Sequence, residues 1–426
     1  GEKSMSQAVI TLIILAVAII LFISDKLPMG LVAFMVPVAL YFTGIIEAND
    51  IFSCVINSNV ILILGMCVIG AAFFKTGMAY KTSQFLLRYT KSERGLILVV
   101  TLLSGIMSGF VSNSGTVAVL LPIVMGIAAS SNIRPIKLLM PLVIGATIGA
   151  DVTIIGSPGN LIAKNTIEEF SNGSMTVSFF EYAKIGIPML IVVAIFLFFF
   201  GSKLINDREA GDETLENPDY SDIPKWHGGL TIVVLIATII GMVLTDYVEF
   251  LPPMHVTACC GAIVLVLFGV LSQKEAFASF EMLTVFMLAF MMPLGTALND
   301  TGAGEMIANA VVSVTGQSSP FIIMASLWIL TWALTQVMSN TAACTLLCPI
   351  AWTIAQSLGA DPRAVVIAVF IASSVAVCTP MAIPANSMII GPGNVRFKDF
   401  IKPGLAVSVV CFIVSMILLP IFYPFY

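Results

Sequence analysis

Charge is scarce in this chain: only 10% of the 426 residues are Asp, Glu, Lys or Arg, where soluble globular chains carry about 25%. Water is therefore not its main solvent. Histidine is rarer still. The two residues, His227 and His255, both fall near the ends of apolar stretches, which argues against a histidine-based catalytic or metal centre. No GxxxxGK[ST] phosphate loop is present, which disfavours an ATP-driven pump. The cysteines show no CxxC spacing, so Cys67, Cys259, Cys260, Cys344, Cys348, Cys378 and Cys411 read as small packing residues. No basic footprint suggests nucleic acid, and no motif calls for an organic cofactor.

What is there is apolar: 58% of the residues are hydrophobic and the mean hydropathy is +1.04. Stretches of roughly 17 to 25 apolar residues recur, each long enough to cross a ~30 Å hydrocarbon core as a helix. The first, at 8–24, lacks a small-residue cleavage site and is too long for a signal peptide, so it reads as a retained span. The expectation is an all-α polytopic protein of the plasma membrane, with the lipid bilayer as its solvent.

A polar segment rich in Asp, Glu, Gly and Pro (206–227) divides the chain. The halves on either side correspond. Pro28-Met29 matches Pro253-Met254 and Thr76-Gly77 matches Thr301-Gly302 at an offset of 225. SNSGTVAVLLPI (112–123) matches SNTAACTLLCPI (339–350) at 227, while Pro158 and Asn160 match Pro384 and Asn386 at 226. A near-constant offset through three landmarks marks an internal duplication. The first repeat (1–205) contains a pair of short apolar segments meeting at the SNS motif (96–130) and an interrupted span (138–169). The second repeat (228–426) repeats them at 320–357 and 364–395, with 206–227 as a cytoplasmic linker. If each pair is a re-entrant hairpin, each half crosses the membrane an odd number of times and the second copy is inverted.

Basic residues support that inversion independently. Lys75, Lys81, Arg88, Lys91, Arg94, Arg134 and Lys137 flank the base of the first hairpin, whereas the second has Arg363. By the positive-inside rule the first base is cytoplasmic and the second external. That choice leaves Lys3, Lys164, Lys184 and Arg363, of the 19 Lys and Arg, on the outer side. The run from Lys75 to Arg94 reads as an interfacial amphipathic helix.

Helix breakers at matching places of two halves point to a transport site, because irregular backbone within a membrane is tolerated only where protein or a water-filled cavity satisfies it. The places are the tips Ser112-Asn113-Ser114-Gly115-Thr116 and Ser339-Asn340-Thr341, and the breaks GSPGN (156–160) and MAIPAN (381–386). Helix N-termini there would offer N–H groups to an anion, and freed carbonyl, hydroxyl and amide oxygens would suit a small cation. Ser108 lies four residues before Ser112 and Thr335 four before Ser339, a spacing that stacks each pair of oxygens on one helix face. Asn113 or Asn340 beside them completes an oxygen-rich corner. A merely structural reading, in which these groups cap or glue helices, weakens when the motif is duplicated and adjacent to proline.

These tips, the Pro-Asn breaks and GPGNVRFKDF (391–400) resemble the divalent anion/sodium symporter (DASS) family of the ion-transporter superfamily, whose members carry dicarboxylates, citrate or sulfate. The resemblance covers nearly the whole chain. It implies an inverted-repeat fold, a homodimer, a scaffold domain and an elevator-like transport domain, with sodium ions for coupling. By position, one sodium site would use Ser108, Ser112, Asn113 and the Gly156 backbone. The other would use Thr335, the Met338 backbone, Asn340 and the Ala382 backbone. A small anionic substrate would meet Asn113, Ser114, Ser157, Asn340, Thr341 and Pro384. Three departures stand out: SNS replaces SNT, Gly159 replaces a second Pro, and Ile383 replaces a threonine. The last sets an apolar wall in the expected substrate pocket, so the identity of the anion is not inherited. Some members exchange anions without sodium, which leaves the coupling ion open.

Asp151, five residues before Gly156, is an isolated carboxylate in an apolar stretch and a candidate for cation coupling or protonation, weighed evenly against a structural role. Lys164, just past the break, reads as reaching outward to the interface. A channel would also use re-entrant loops, but around a symmetry axis rather than from two opposed halves of one chain. An intramembrane hydrolase with Ser112 or Ser339 as nucleophile lacks a membrane His or Lys to activate it.

Overall fold

The computed structural model describes residues 2–24, 26–53, 58–78, 81, 92–206, 223–245, 248, 250–280, 282–304, 306, 319–336, 339–380 and 382–426. The described residues form helices and connections without strands. In the first repeat these are α1 (Glu2–Ser24), α2 (Met29–Phe42), α3 (Asp50–Ser53), α4 (Ser58–Lys75), α5 (Glu93–Ser108), α6 (Asn113–Ser130), α7 (Ile136–Gly149), α8 (Pro158–Phe170) and α9 (Ala183–Leu204). The second gives α10 (Lys225–Leu244), α11 (Met254–Leu267), α12 (Gln273–Ala278), α13 (Met282–Asp300), α14 (Pro320–Thr335), α15 (Asn340–Ser357), α16 (Pro362–Ser374), α17 (Pro384–Met388), α18 (Ile390–Gly393) and α19 (Phe397–Phe422). Among the described residues, four helices, α6, α9, α10 and α19, are each long and apolar enough to cross a membrane by length and composition. Arg88, Lys91, Met338 and most of the Lys75–Arg94 run and of the 206–227 segment lie outside the described residues.

The packing repeats the duplication. Helix α5 packs on α7 as α14 packs on α16, and α4 pairs with α11 as α2 pairs with α13. Each of these last pairs joins one repeat to the other. Small residues allow the tightest approach: a Cβ on Gly149 of α7 would lie 2.1 Å from the Gly105 Cα of α5.

Helix α9, roughly 33 Å long at 1.5 Å per residue, shows the inversion. At its C-terminal end Lys137, at the start of α7, donates to Ser202 O and, at 2.7 Å, to Ile205 O. Asn206 then donates to Asp399 Oδ1 at 2.7 Å, in the first turn of α19. At the other end of α9 stands Glu181, whose carboxylate accepts from the Tyr423 hydroxyl at 2.8 Å, beyond the last turn of α19. Arg363, in the first turn of α16, and Lys184 flank the same Tyr423 ring at 5.8 and 5.7 Å. Equivalent helices α7 and α16 therefore start at opposite ends of α9 and run in opposite directions.

Lys75, at the end of α4, bridges to Glu275 of α12 at 2.7 Å. The Lys75 ammonium, helped by the Ser272 N–H and hydroxyl, holds the Glu275 carboxyl at about 2. Gly228 of α10 closes on Met78 at the same end, while Thr301, following α13, reaches Thr11 of α1 at 3.3 Å. Lys164 extends toward the end of α8 that lies away from the break. Its ammonium is paired with Glu168, one turn on, with the side chain largely covered.

Candidate functional site

The two tips are built alike. Ser112 caps α6, its Oγ accepting from Gly115 N at 3.2 Å, and Ser339 caps α15, accepting from Ala342 N at 3.1 Å. Ser108 donates to Asn113 Oδ1 at 3.0 Å, and Thr335 Oγ1 lies 2.9 Å from Asn340 Oδ1 and 2.7 Å from Ser373 O. The expectation that Ser108 and Ser112, or Thr335 and Ser339, stack on one helix face is corrected. Helices α5 and α14 end at Ser108 and Thr335, and each tip serine starts a new helix. The free N–H groups of α6 and α15 need caps, and a serine at N-cap supplies one only by leaving the helical conformation. What each corner gathers is a helix-terminal hydroxyl and the first amide of the next helix.

The breaks are equally matched. Ser157 and Ile383 precede prolines and are held extended, at φ −143°, ψ 148° and φ −139°, ψ 149°, as proline sterics demand of the residue before it. Pro158 and Pro384 then open α8 and α17 at a position where no N–H is needed. Gly156 is required by close approach, because a Cβ there would lie 2.2 Å from Ala150 O.

Two residues that the sequence paired without assigning a role hold the breaks together. Asn160 Nδ2 donates to Ala150 O at 2.8 Å and Thr153 O at 2.5 Å. Asn386 Nδ2 donates to Ala376 O at 2.8 Å and Thr379 O at 2.7 Å. Both partners in each case are acceptors, so the amide orientation is dictated by chemistry and the Oδ1 must face away. Each amide thereby satisfies carbonyls freed where a half-helix ends. Thr153 also donates to Gly109 O, tying the first break to the first tip.

The repeats meet at these motifs. Helix α8 packs on α15, and α17 packs on α6, and Cys344 Sγ of α15 lies 3.4 Å from Gly159 O of the first break. The N-terminal turns of α6, α8 and α15 thus belong to one neighbourhood. A cavity of about 210 Å³ opens there, between α4 (Met66, Gly70, Phe74) and Ser112, Gly115, Gly156, Ser157 and Pro158. Ser157 is buried and its hydroxyl does not cap α8. The cavity takes in neither Asn113 and Ser114 nor the second-repeat candidates Asn340, Thr341, Ala382, Ile383 and Pro384. Asn113, Ser114, Asn340 and Thr341 are half-buried, Pro384 is exposed, and Ile383 is 7% exposed within the core. Among the described residues, no Lys, Arg or His lines this cavity.

An all-helical bundle with inverted halves, paired hairpins and broken helices defines a polytopic membrane transport protein. The chain belongs to the citrate transporter family (CitMHS), whose model matches residues 19–254 and 250–425. It is 20% identical to the uncharacterized transporter YfbS of Escherichia coli (strain K12), across 97% of this chain and 98% of that one. Among solved structures it resembles the YdaH transporter of Alcanivorax borkumensis, described as having an unusual topology, with a TM-score of 0.66 at 14% identity over 90% of this chain and 88% of that one. It also resembles MtrF of Neisseria gonorrhoeae, described as illuminating a class of antimetabolite efflux pumps, with a TM-score of 0.63 at 15% identity over 91% and 84% of the two chains. These two likenesses concern the fold.

Proposed function

We propose that the protein is a secondary active transporter of small divalent anions, a di- or tricarboxylate or sulfate, coupled to sodium in the plasma membrane. The observation that carries this reading is the meeting of three helix N-termini, α6, α8 and α15, drawn from both repeats and bordered by hydroxyl and amide side chains. Such a place favours an anion without any buried cationic side chain. The family's citrate designation supports a carboxylate among the substrates.

Sodium would occupy the two corners, one formed by Ser108, Ser112, Asn113 and the Gly156 carbonyl, the other by Thr335, Asn340 and the Met338 and Ala382 carbonyls. Substrate would lie between them against Asn113, Ser114, Ser157, Asn340, Thr341 and Pro384. The repeats, divided at 206–227, would contribute α4–α11 and α2–α13 to a scaffold, and hairpins with broken helices to a moving unit, in an elevator-type cycle within a homodimer. The cavity between α4 and the first tip supports a boundary between the two parts at that position. Uptake of labelled citrate, succinate and sulfate into proteoliposomes, with and without an inward sodium gradient, tests the reading. Saturable uptake driven by sodium is the expected result. Saturable but sodium-independent counterflow would make it an exchanger, and non-saturating flux a channel.

A further inference from the structure

Three charged side chains are buried among the described residues: Lys137, Asp151 and Asp399. Lys137 donates to the end of α9, and Asp399 accepts from Asn206 at 2.7 Å and from Arg396 N at 2.8 Å. Asp151 differs. Neither of its carboxylate oxygens has a hydrogen-bond partner, and none of the described ion pairs includes it.

Its surroundings are specific. Asp151 sits in the single 3₁₀ turn Ala150–Val152 that ends the first half of the broken helix. Gly186 of α9 closes on its backbone, and the turn packs against α16 of the other repeat. Ser374, the last residue of α16, sets its hydroxyl beside the carboxylate without a well-aligned hydrogen bond, and Ser374 Oγ is itself buried and unpartnered. Helices α7 and α16 both end here, so the negative poles of two half-helices face the same place as the carboxylate. The second repeat has Val377 where the first has Asp151, at the offset of 226. The carboxylate is therefore not demanded by the duplicated fold.

An ionised carboxylate buried without a partner is strongly unfavourable, and two helix C-termini make it more so. Two carboxylate oxygens and a hydroxyl oxygen, buried in a negative field and outside every described ion pair, have the character of an oxygen shell for a hard cation. One carboxylate neutralises one charge, which favours a monovalent ion. We propose that Asp151 Oδ1 and Oδ2 and Ser374 Oγ bind one sodium ion at the crossing of the two broken helices, distinct from the two tip corners, and that this ion moves with the anion. The inference rests on the sodium-coupled reading above. Its role is mechanical as well as electrical. The ion bridges the first repeat to the second, and Thr335 of the second tip contacts Ser373, the neighbour of Ser374.

The test compares wild type with Asp151→Asn, Asp151→Val and Ser374→Ala in proteoliposomes, measuring the sodium-to-anion ratio from the reversal potential and the sodium concentration for half-maximal uptake. Thermal stability of the purified proteins in sodium against choline provides a readout independent of transport. The expected result is one fewer sodium per anion in both Asp151 variants. In Ser374→Ala half-activation rises roughly five- to tenfold, and sodium stabilises every variant less than wild type. A wild type without any sodium response overturns both this site and the coupled reading. A sodium-driven wild type whose ratio and stabilisation persist in Asp151→Asn overturns the site alone and makes the residue a neutral structural acid. Should the Asp151 variants fail to fold, a wild-type sodium requirement in Ser374→Ala overturns the site.

Discussion

Replacing Asn160 separates holding a break from binding a ligand. Its Nδ2 satisfies two buried carbonyls, Ala150 O and Thr153 O, and each left without a donor costs about 1–3 kcal/mol. The Oδ1 is itself buried and unpartnered, so removing the whole amide relieves about one such penalty. Asn160→Ala should therefore cost a net of about 1–3 kcal/mol. Asn160→Asp keeps the shape but turns an oxygen toward both carbonyls, so it should be the more destabilising of the two, as should Asn386→Asp against Asn386→Ala at the second break. Asn113 accepts from Ser108 at 3.0 Å in a half-buried tip, so Asn113→Ala should cost only about 1 kcal/mol of stability. Yet it should lower sodium-driven uptake about tenfold, since the amide is proposed to meet both ions. Thermal unfolding in detergent, run beside uptake, gives both orderings. An Asn160→Asp protein as stable as Asn160→Ala would refute the brace. Full sodium-driven uptake in Asn113→Ala would refute the corner.

Cysteine labels at Lys225, at the start of α10, and Ser174, in the connection before α9, both exposed, should react from opposite sides of the membrane, Lys225 from the cytoplasm; reaction of both from one side would end the inverted topology. Ile383→Thr places a hydroxyl at the position equivalent to Ser157 and should change the ranking of succinate, citrate and sulfate as competitors, by about fivefold for an anion it reaches. Ile389→Thr, past the break, should leave the ranking unchanged; an unaltered ranking in an active Ile383→Thr protein would withdraw Ile383 and Pro384 from the substrate site. Glu275 is held at about 2 against an ordinary 4.5, a depressed carboxyl whose stabilisation is full above 4.5 and lost as pH falls toward 2. The pair is largely solvated, so Glu275→Gln should cost under about 1 kcal/mol at neutral pH, with the difference from wild type shrinking below pH 4.5 in chemical-denaturation curves.

Much of the architecture is legible in one dimension because duplication converts geometry into spacing. A near-constant offset, 226 between Pro158 and Pro384 and 227 between the SNS and SNT tips, reports nearly equal loop lengths, and loop lengths bind helices into the same order. Proline, serine and glycine also act locally: Pro158 forces Ser157 extended wherever it stands, and Ser112 can cap only by ending the preceding helix. The limits of the spacing argument appear at the same residues. A four-residue interval stacks Ser108 over Ser112 only if one helix runs through both, and the cap that makes Ser112 useful is what stops that helix. Partners far apart in sequence leave no periodic trace. Asn160 finds its carbonyls seven and ten residues back across a break, and Ser374 reaches Asp151 from another repeat. Symmetry itself misleads at one point. Ser157 and Ile383 share a backbone conformation to within a few degrees, but the former borders the cavity and the latter is packed in the core. Equal backbones with unequal side chains make the two halves equivalent for folding and unequal in the surfaces they present. On the proposed reading, a single anion held between two such halves would meet a hydroxyl on one side and a methyl surface on the other, so selectivity among anions should depend on the substrate-site residues at which the repeats differ: Ser114 against Thr341 and Ser157 against Ile383.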